Sequence, residues 1–425
     1  MFLRCEVSNH RSIDEPIELT MIAIDRNRQS VRSFDRLSED VLTVAGIYGP
    51  NASGKSNIID AINWLSEAVR FSLRSWDEQI PRDPFRFGNS INESSVFEIS
   101  LEIAGVRYDY ILDVTDSEVV FEALYSYPER RRRMLFEREG DLTQYRRGLT
   151  GLGGARDLLT PTTLFLSAAS RFATNEISVV AREISHIRTL GLQRRRRSRM
   201  LGGGGLYMPG GSTTRLFDDG VDRNQATLFE PVEEHGSFDE RAAALSLLRF
   251  ADLGIDDVEI VHEEGRNAGR PQFVHRVDGQ EQRFEIVDES AGTRTWFELI
   301  GPVLGALRSG RLLLFDEIDA SLHPRLSARL LDLFHDPETN PYGAQLIFTT
   351  HDTSLLNSLN RDEVWLTEKR EGGATVLTAL SDFGGDKVRK SLNLERAYLQ
   401  GRFGAVPELD QTLVREALGL SAASR

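Results

Sequence analysis

Cysteine is nearly absent. The single thiol, Cys5, excludes an intramolecular disulfide in a chain of 425 residues. That usage suits a reducing compartment, and a cytoplasmic location is expected. Cys5 alternates with Leu3 and Val7, the mark of a small buried strand residue. Long apolar runs are also missing. No uncharged stretch approaches the roughly 20 residues that cross a bilayer, and the opening "MFLRCEVSNHRSIDEP" has no apolar signal core. A soluble chain with no membrane segment is expected. Positive charge is in deficit: the net charge of −14 argues against a surface that wraps nucleic acid all round. It leaves room for a local basic patch, which acts through its own field. There is no internal repeat and no heptad array long enough for an extended coiled coil. What remains is an ordinary soluble composition, 40% hydrophobic and 27% charged, with room for two or three domain-sized units or one large domain with an insertion.

The first 125 or so residues read as strand-rich around one helix. Leu3/Cys5/Val7 and Ile17/Leu19/Met21 alternate as a hairpin would. "VLTVAGIY" is a mostly apolar run, as in a strand buried on both faces. After it, Ile58, Ile59, Ile62, Leu65, Val69 and Leu73 recur at helical spacing. "VFEISLEIAG" and "VRYDYILDV" read as a second hairpin turning at Ala104-Gly105. From Thr163 to Leu192 the pattern is helical and mixed. It then passes into "RRRRSR", "GGGG", "MPGG" and an acidic stretch, "FDDGVDRNQATLFEPVEEHGSFDE", which together read as mobile loop. Beyond Arg241 a helix is expected over Thr295–Leu307, with buried strands at 312–315, 345–350 and 363–367. A helix opened by Pro324 lies between the first two strands. This alternation implies a mostly parallel sheet.

Four stretches carry chemistry. The run Gly49-Pro50-Asn51-Ala52-Ser53-Gly54-Lys55-Ser56 matches G-x-x-x-x-G-K-[ST] between a strand and a helix, and Gly49, Asn51, Ala52, Ser53, Gly54, Lys55, Ser56 and Asn57 are the expected nucleotide contacts. Its glycines let backbone N–H groups cradle phosphate oxygens; Lys55 would reach the β- and γ-phosphates, and the Ser56 hydroxyl would ligate Mg²⁺. In "RLLLFDEIDASLHP", Asp316 and Glu317 emerge at the carboxyl end of a buried strand, the ligand-binding edge of such sheets. Asp316 would hold Mg²⁺ through water and Glu317 would polarise the attacking water as general base; by itself such a pair could merely cap the next helix. In "QLIFTTHD", His351 stands just past another strand and could bond the γ-phosphate or the attacking water; a lone histidine is more often structural. In "DESAGTRTWFEL", Ser290, Gly292 and Thr293 open a helix, either as an anion-facing turn or simply as its N-cap.

Together these four elements resemble the ABC-type ATPase head of SMC-like and DNA-repair ATPases, over roughly residues 1–125 and 240–425. The resemblance implies an α/β fold: an N-terminal antiparallel β subdomain plus a mostly parallel sheet with helices, interrupted by a helical and loop insertion. It divides the chain into residues 1–162 with the phosphate loop, an insertion at 163–240, and residues 241–425 with the signature, the Asp-Glu pair and the switch histidine. More narrowly, "NHRSI", "ESAGT", "DEIDASLHP", "TTHD" and "YLQGRFGAVP" resemble bacterial AAA/ABC-like ATPases related to the OLD (overcoming lysogeny defect) family, many of them in anti-phage defence. The resemblance implies ATP and Mg²⁺, and a homodimer or higher oligomer closed around ATP. Ser290, Gly292 and Thr293 would contact the γ-phosphate held by Lys55 of the partner chain. Asp319 to His323 would line the seam, and Arg11 would touch nucleotide. The signature is "ESAGT" where transporters have "LSGGQ", and no Q-loop glutamine is assigned.

The leading expectation is an ATPase whose ATP-gated assembly controls a separate effector, a nuclease or toxin, in anti-phage defence. The alternative is a RecF-like genome-maintenance ATPase that binds DNA. A transporter subunit is disfavoured by the signature. A nuclease in cis is not expected, because the stretch after His351 is short, and intact Lys55, Asp316 and Glu317 argue against a non-hydrolysing scaffold. The arginine runs at 130–133 and 194–199 are candidates to bind nucleic acid or an acidic partner, solvated loop charge being the plainer alternative.

Overall fold

The structure is a computed structural model that describes residues 1–34, 39–146, 149, 152–172, 176–192, 211–218, 239–251, 254–262, 269–320, 322–383 and 393–404. Strands β1 (Phe2–Ser8), β2 (Ile17–Thr20), β3 (Val31–Ser33), β4 (Asp40–Leu42) and β5 (Val44–Tyr48) precede helix α1 (Lys55–Ser75). A meander follows: β6 (Ser95–Ile103), β7 (Val106–Val114), β8 (Val119–Ser126), β9 (Arg133–Glu139) and β10 (Leu142–Tyr145). Then come α2 (Leu152–Arg156), α3 (Phe165–Ala169), α4 (Glu176–Ser185), β11 (Arg188–Leu190), α5 (Gly211–Phe217) and α6 (Glu240–Ala251). The rest is β12 (Ile255–Val261), β13 (Arg270–Val277), β14 (Gln280–Glu285), α7 (Ala291–Ser309), β15 (Leu312–Phe315), α8 (Pro324–His335), β16 (Gln345–Thr349), β17 (Val364–Lys369), β18 (Thr375–Ala379) and α9 (Leu394–Leu399).

Two sheets organise these elements. One is seven-stranded and antiparallel throughout, in the order β10-β9-β8-β7-β6-β1-β2. The other is six-stranded, β11-β15-β16-β5-β17-β18, and parallel except for its last pair. The parallel strands are apolar at nearly every position because both faces are covered, with successive side chains going to opposite sides. Ala45, Ile47, Leu312, Leu314 and Ile347 enter one core, shared with α1, α3, α4 and the antiparallel sheet. Val44, Tyr48, Leu313, Phe315, Leu346 and Phe348 enter the other, against α7 and α8. Each such leucine contributes about 1.5–3 kcal/mol by leaving water. Since β5, β15 and β16 run the same way, the loops after Tyr48, Phe315 and Thr349 leave from one edge.

The expected α/β class, antiparallel subdomain and mostly parallel sheet are all present, as are both hairpins. Cys5 is buried, and burial pushes its thiol up to about 12, so it is inert. Three readings are corrected in detail. "VLTVAGIY" is two strands broken at Thr43: β4 pairs with β3 while β5 joins the parallel sheet. The helix expected from Thr295 begins a turn earlier, at Ala291, because Ser290 caps it. Residues 211–217, expected as mobile loop, form α5 and pack on α7, where Phe217 stacks on Phe297 and Thr213 Oγ1 accepts the Gly301 N–H at 2.8 Å. That bond falls beside Pro302, which has no N–H and locally opens the helical ladder. "RRRRSR", "GGGG" and nearly all of the acidic stretch lie outside the described residues. Arg130–Arg133 are described and exposed, with the Arg132 guanidinium over the Tyr125 ring at 3.7 Å. Strand β11 and the three-stranded sheet β12-β13-β14 were not anticipated.

Candidate active site

The phosphate loop begins where β5 ends. Gly49 has φ +154° and Gly54 has φ +108°. A Cβ on Gly49 would stand 2.3 Å from Thr367 Oγ1, and one on Gly54 would stand 2.0 Å from Thr375 Oγ1, so neither position admits a side chain. Asn51 and Ala52 are exposed at the tip, while Ser53 is buried with Oγ 2.5 Å from Thr367 Oγ1. Gly54 is the N-cap of α1 and supplies no side-chain cap, and the first turn carries no acid. The positive end of a 21-residue helix is therefore left for an outside anion. Lys55 Nζ lies across the loop, donating to Gly49 O at 2.9 Å and Pro50 O at 3.1 Å. Burial pushes this ammonium down to about 8, against the pull of Glu317, Asp316 and Asp319, whose carboxylates lie within its electrostatic reach.

The acidic strand end is held by a residue the sequence had not singled out. Thr349, at the end of β16 and fully buried, donates its hydroxyl to Asp316 Oδ1 at 2.7 Å and accepts the Glu317 N–H at 2.8 Å. Asp316 is buried and its N–H also bonds to Leu190 O of β11 at 2.9 Å. Glu317 has φ +55°, a left-handed conformation costly for a glutamate, and its side chain is exposed. Asp319 holds the next strand end: it accepts the Thr350 hydroxyl at 2.8 Å and the His351 N–H at 3.2 Å to each carboxylate oxygen. His351 itself is exposed. Within the seam loop expected at 319–323, Ser321 lies outside the described residues, and His323 Nδ1 accepts the Arg325 N–H as the N-cap of α8.

The donor set suits Mg²⁺. Asp316 Oδ2 and the half-buried Ser56 hydroxyl take no hydrogen bond among the described residues, and no cluster of three or more His, Cys, Asp or Glu there could cage an ion. One hydroxyl and one carboxylate are what Mg²⁺ uses when waters and phosphates complete its octahedron.

Two further predicted contacts lie on other elements. Arg11 has φ +54° and its Nε lies 2.8 Å from Asp60 Oδ2 on α1, an oxygen it shares with His10 Nε2. It is the next residue, Ser12, that reaches the loop: its Oγ accepts Asn57 Nδ2–H at 2.5 Å and lies 2.7 Å from Thr375 Oγ1. Ser290 is exposed and caps α7, its Oγ accepting the Thr293 N–H at 3.1 Å. Gly292 is half-buried and Thr293 buried beside it. Ser290 Oγ also lies 2.8 Å from Thr293 Oγ1. The fold thus gathers residues 49–56, 316–319 and 349–351 at one sheet edge, while Ser290 is exposed at the start of α7.

Among solved structures, the chain resembles an SMC head bound to the C-winged helix domain of ScpA, at 14% identity over 90% of this chain and 98% of that one, with a TM-score of 0.44. It also resembles the SMC head domain from Thermotoga maritima, at 15% identity over 89% and 98%, with a TM-score of 0.39. No curated protein matches the chain. A family model described as "AAA domain, putative AbiEii toxin, Type IV TA system" matches residues 44–357, a span running from β5 through the phosphate loop, the Asp-Glu pair and His351. With roughly three quarters of its length in that match, the chain belongs to this AAA-domain family and is an ATPase of that class.

Proposed function

We propose that the chain is a Mg²⁺-dependent ATPase that closes as a dimer around ATP and thereby controls a separate effector, a nuclease or toxin, in anti-phage defence of the OLD-related kind. One observation carries the dimer: the phosphate loop and the acidic strand ends share an edge, while Ser290, at the start of α7, is exposed to a second copy. A second copy can present that turn to bound ATP. The family's description as a putative toxin of a type IV toxin–antitoxin system supports the defence setting, and nothing in the family match favours the DNA-maintenance alternative.

In this reading Gly49, Asn51, Ala52, Ser53, Gly54, Lys55, Ser56 and Asn57 bind the nucleotide, with Lys55 at the β- and γ-phosphates. Ser56 and Asp316 hold Mg²⁺, which supplies charge neutralisation to the transferring phosphoryl group. Glu317 takes the proton of the attacking water, and His351, held by Asp319, bonds the γ-phosphate. Ser290, Gly292 and Thr293 of the second copy close the site. Arg11 touches the nucleotide from the N-terminal hairpin, its guanidinium paired with Asp60. The chain divides functionally into a loop-bearing part (1–162), an insertion (163–240) and a part with the remaining site residues (241–425), and the protein works in the cytoplasm. Nucleic acid bound through the arginine runs is a further element of the reading.

Replacing Glu317 tests it. Glu317→Gln should bind ATP, lose about 10²–10⁴-fold in turnover, and double its mass in ATP by light scattering. Unchanged turnover would remove Glu317 as the base.

A further inference from the structure

The phosphate loop is gripped by hydroxyls that come from neither the loop motif nor the acidic strand ends. Asn57 Nδ2 donates to Ser12 Oγ at 2.5 Å, Ser12 Oγ lies 2.7 Å from Thr375 Oγ1, and Thr375 Oγ1 donates to Ser53 O at 2.8 Å. Because the Thr375 proton goes to that carbonyl, Ser12 must donate to Thr375. On the other side Thr367 Oγ1 donates to Tyr48 O at 3.1 Å, so Ser53 Oγ must donate to Thr367 at 2.5 Å. In these two runs Ser12, Thr375 and Thr367 each donate once and accept once, and Ser53 Oγ donates. Thr367 is fully buried, Ser53 and Thr375 nearly so. The Thr375 N–H also bonds to Ser12 O at 2.7 Å, tying the β1–β2 connection to β18.

We infer that Thr375 and Thr367, on the β17–β18 hairpin, are positioning residues for nucleotide binding that hold the phosphate loop in its anion-receiving shape, Thr375 acting together with Ser12. The inference rests on the reading of the loop as an ATP site. A peptide unit is planar and trans, so its C=O and N–H point in opposite directions. By holding the Ser53 carbonyl, Thr375 turns the Gly54 N–H away from the hairpin. The same two threonines occupy the space that side chains at Gly49 and Gly54 would need. The loop is therefore set by its neighbours as well as by its own glycines, and the run through Ser12 links the antiparallel sheet to the parallel one across the site.

The test compares Thr375→Val, which keeps the shape and loses the hydroxyl, with Thr375→Ser, which keeps the hydroxyl and loses a methyl. ATP affinity is measured by calorimetry, turnover at saturating ATP, and melting without nucleotide. We expect Thr375→Val to bind ATP about tenfold more weakly, the equivalent of one buried carbonyl left unpaired. Its turnover at saturation should stay within about twofold of the parent, and Thr375→Ser should restore affinity. Thr367→Val should weaken binding in the same way. Affinity unchanged in a folded Thr375→Val overturns the inference. So does an equal loss in Thr375→Ser, since methyl packing would then be the cause. If the parent chain binds no ATP, the ATP reading falls first and this inference with it.

Discussion

At the scale of single residues, the site depends on side chains that are ordinary in sequence and specific in place. Thr349 bridges Asp316 Oδ1 and the Glu317 N–H. Thr349→Val should lower turnover about tenfold or more with ATP affinity unchanged, because the acids lose their aim while the loop does not. Thr349→Ser should retain most activity, and a valine variant as active as the parent would remove the bridge from the account. Lys55 gives a pH signature. Its folded value of about 8 lies below the ordinary 10.5, so the buried ammonium costs stability below pH 8. That cost fades as pH rises from about 8 toward 10.5, where the unfolded chain also loses the proton. Bound triphosphate favours the charged form, so ATP binding near pH 8 should take up a proton. Calorimetry in buffers of different ionisation heat should show this uptake, and ATP affinity should fall above pH 8. Binding with no proton uptake between about pH 7.5 and 9 would contradict the Lys55 environment.

At the scale of elements, the parallel sheet and its loops were legible because their signals are local. Apolar runs such as "LLLF" and "QLIFT" end in polar residues that share one edge, and "GPNASGKS" sits between a strand and an amphipathic helix. The rest was hidden for physical reasons. Strand β11 is three residues long and is recognised only through its pairing with β15. Every residue of β14 is exposed, so no alternation betrays it. Helix α5 follows a glycine-rich run and owes its place to α7, through Phe217 on Phe297 and Thr213 on the Gly301 N–H. That dependence is testable. Thr213→Val leaves the Gly301 N–H without its acceptor and should destabilise the fold by about 1–3 kcal/mol in denaturant titration; no change would mean that the α5–α7 contact contributes little. The roles of Thr349, Thr367 and Thr375 could not be read from motifs, since each acts on residues far away in the chain.

At the scale of the whole molecule, the proposal turns on the start of α7. Ser290 is exposed there and caps α7, with Gly292 and Thr293 beside it. As half of a composite site they would be needed by another copy. The most direct measurement mixes two variants, Lys55→Ala, which cannot hold ATP, and Ser290→Arg, which cannot close a neighbour's site. Each should be inactive alone. In a mixed dimer one site pairs the intact loop of one chain with the intact signature turn of the other. An equal mixture should therefore regain up to about a quarter of the parent's ATP turnover. A mixture as inactive as its components, with mixed dimers present, would contradict a site completed in trans.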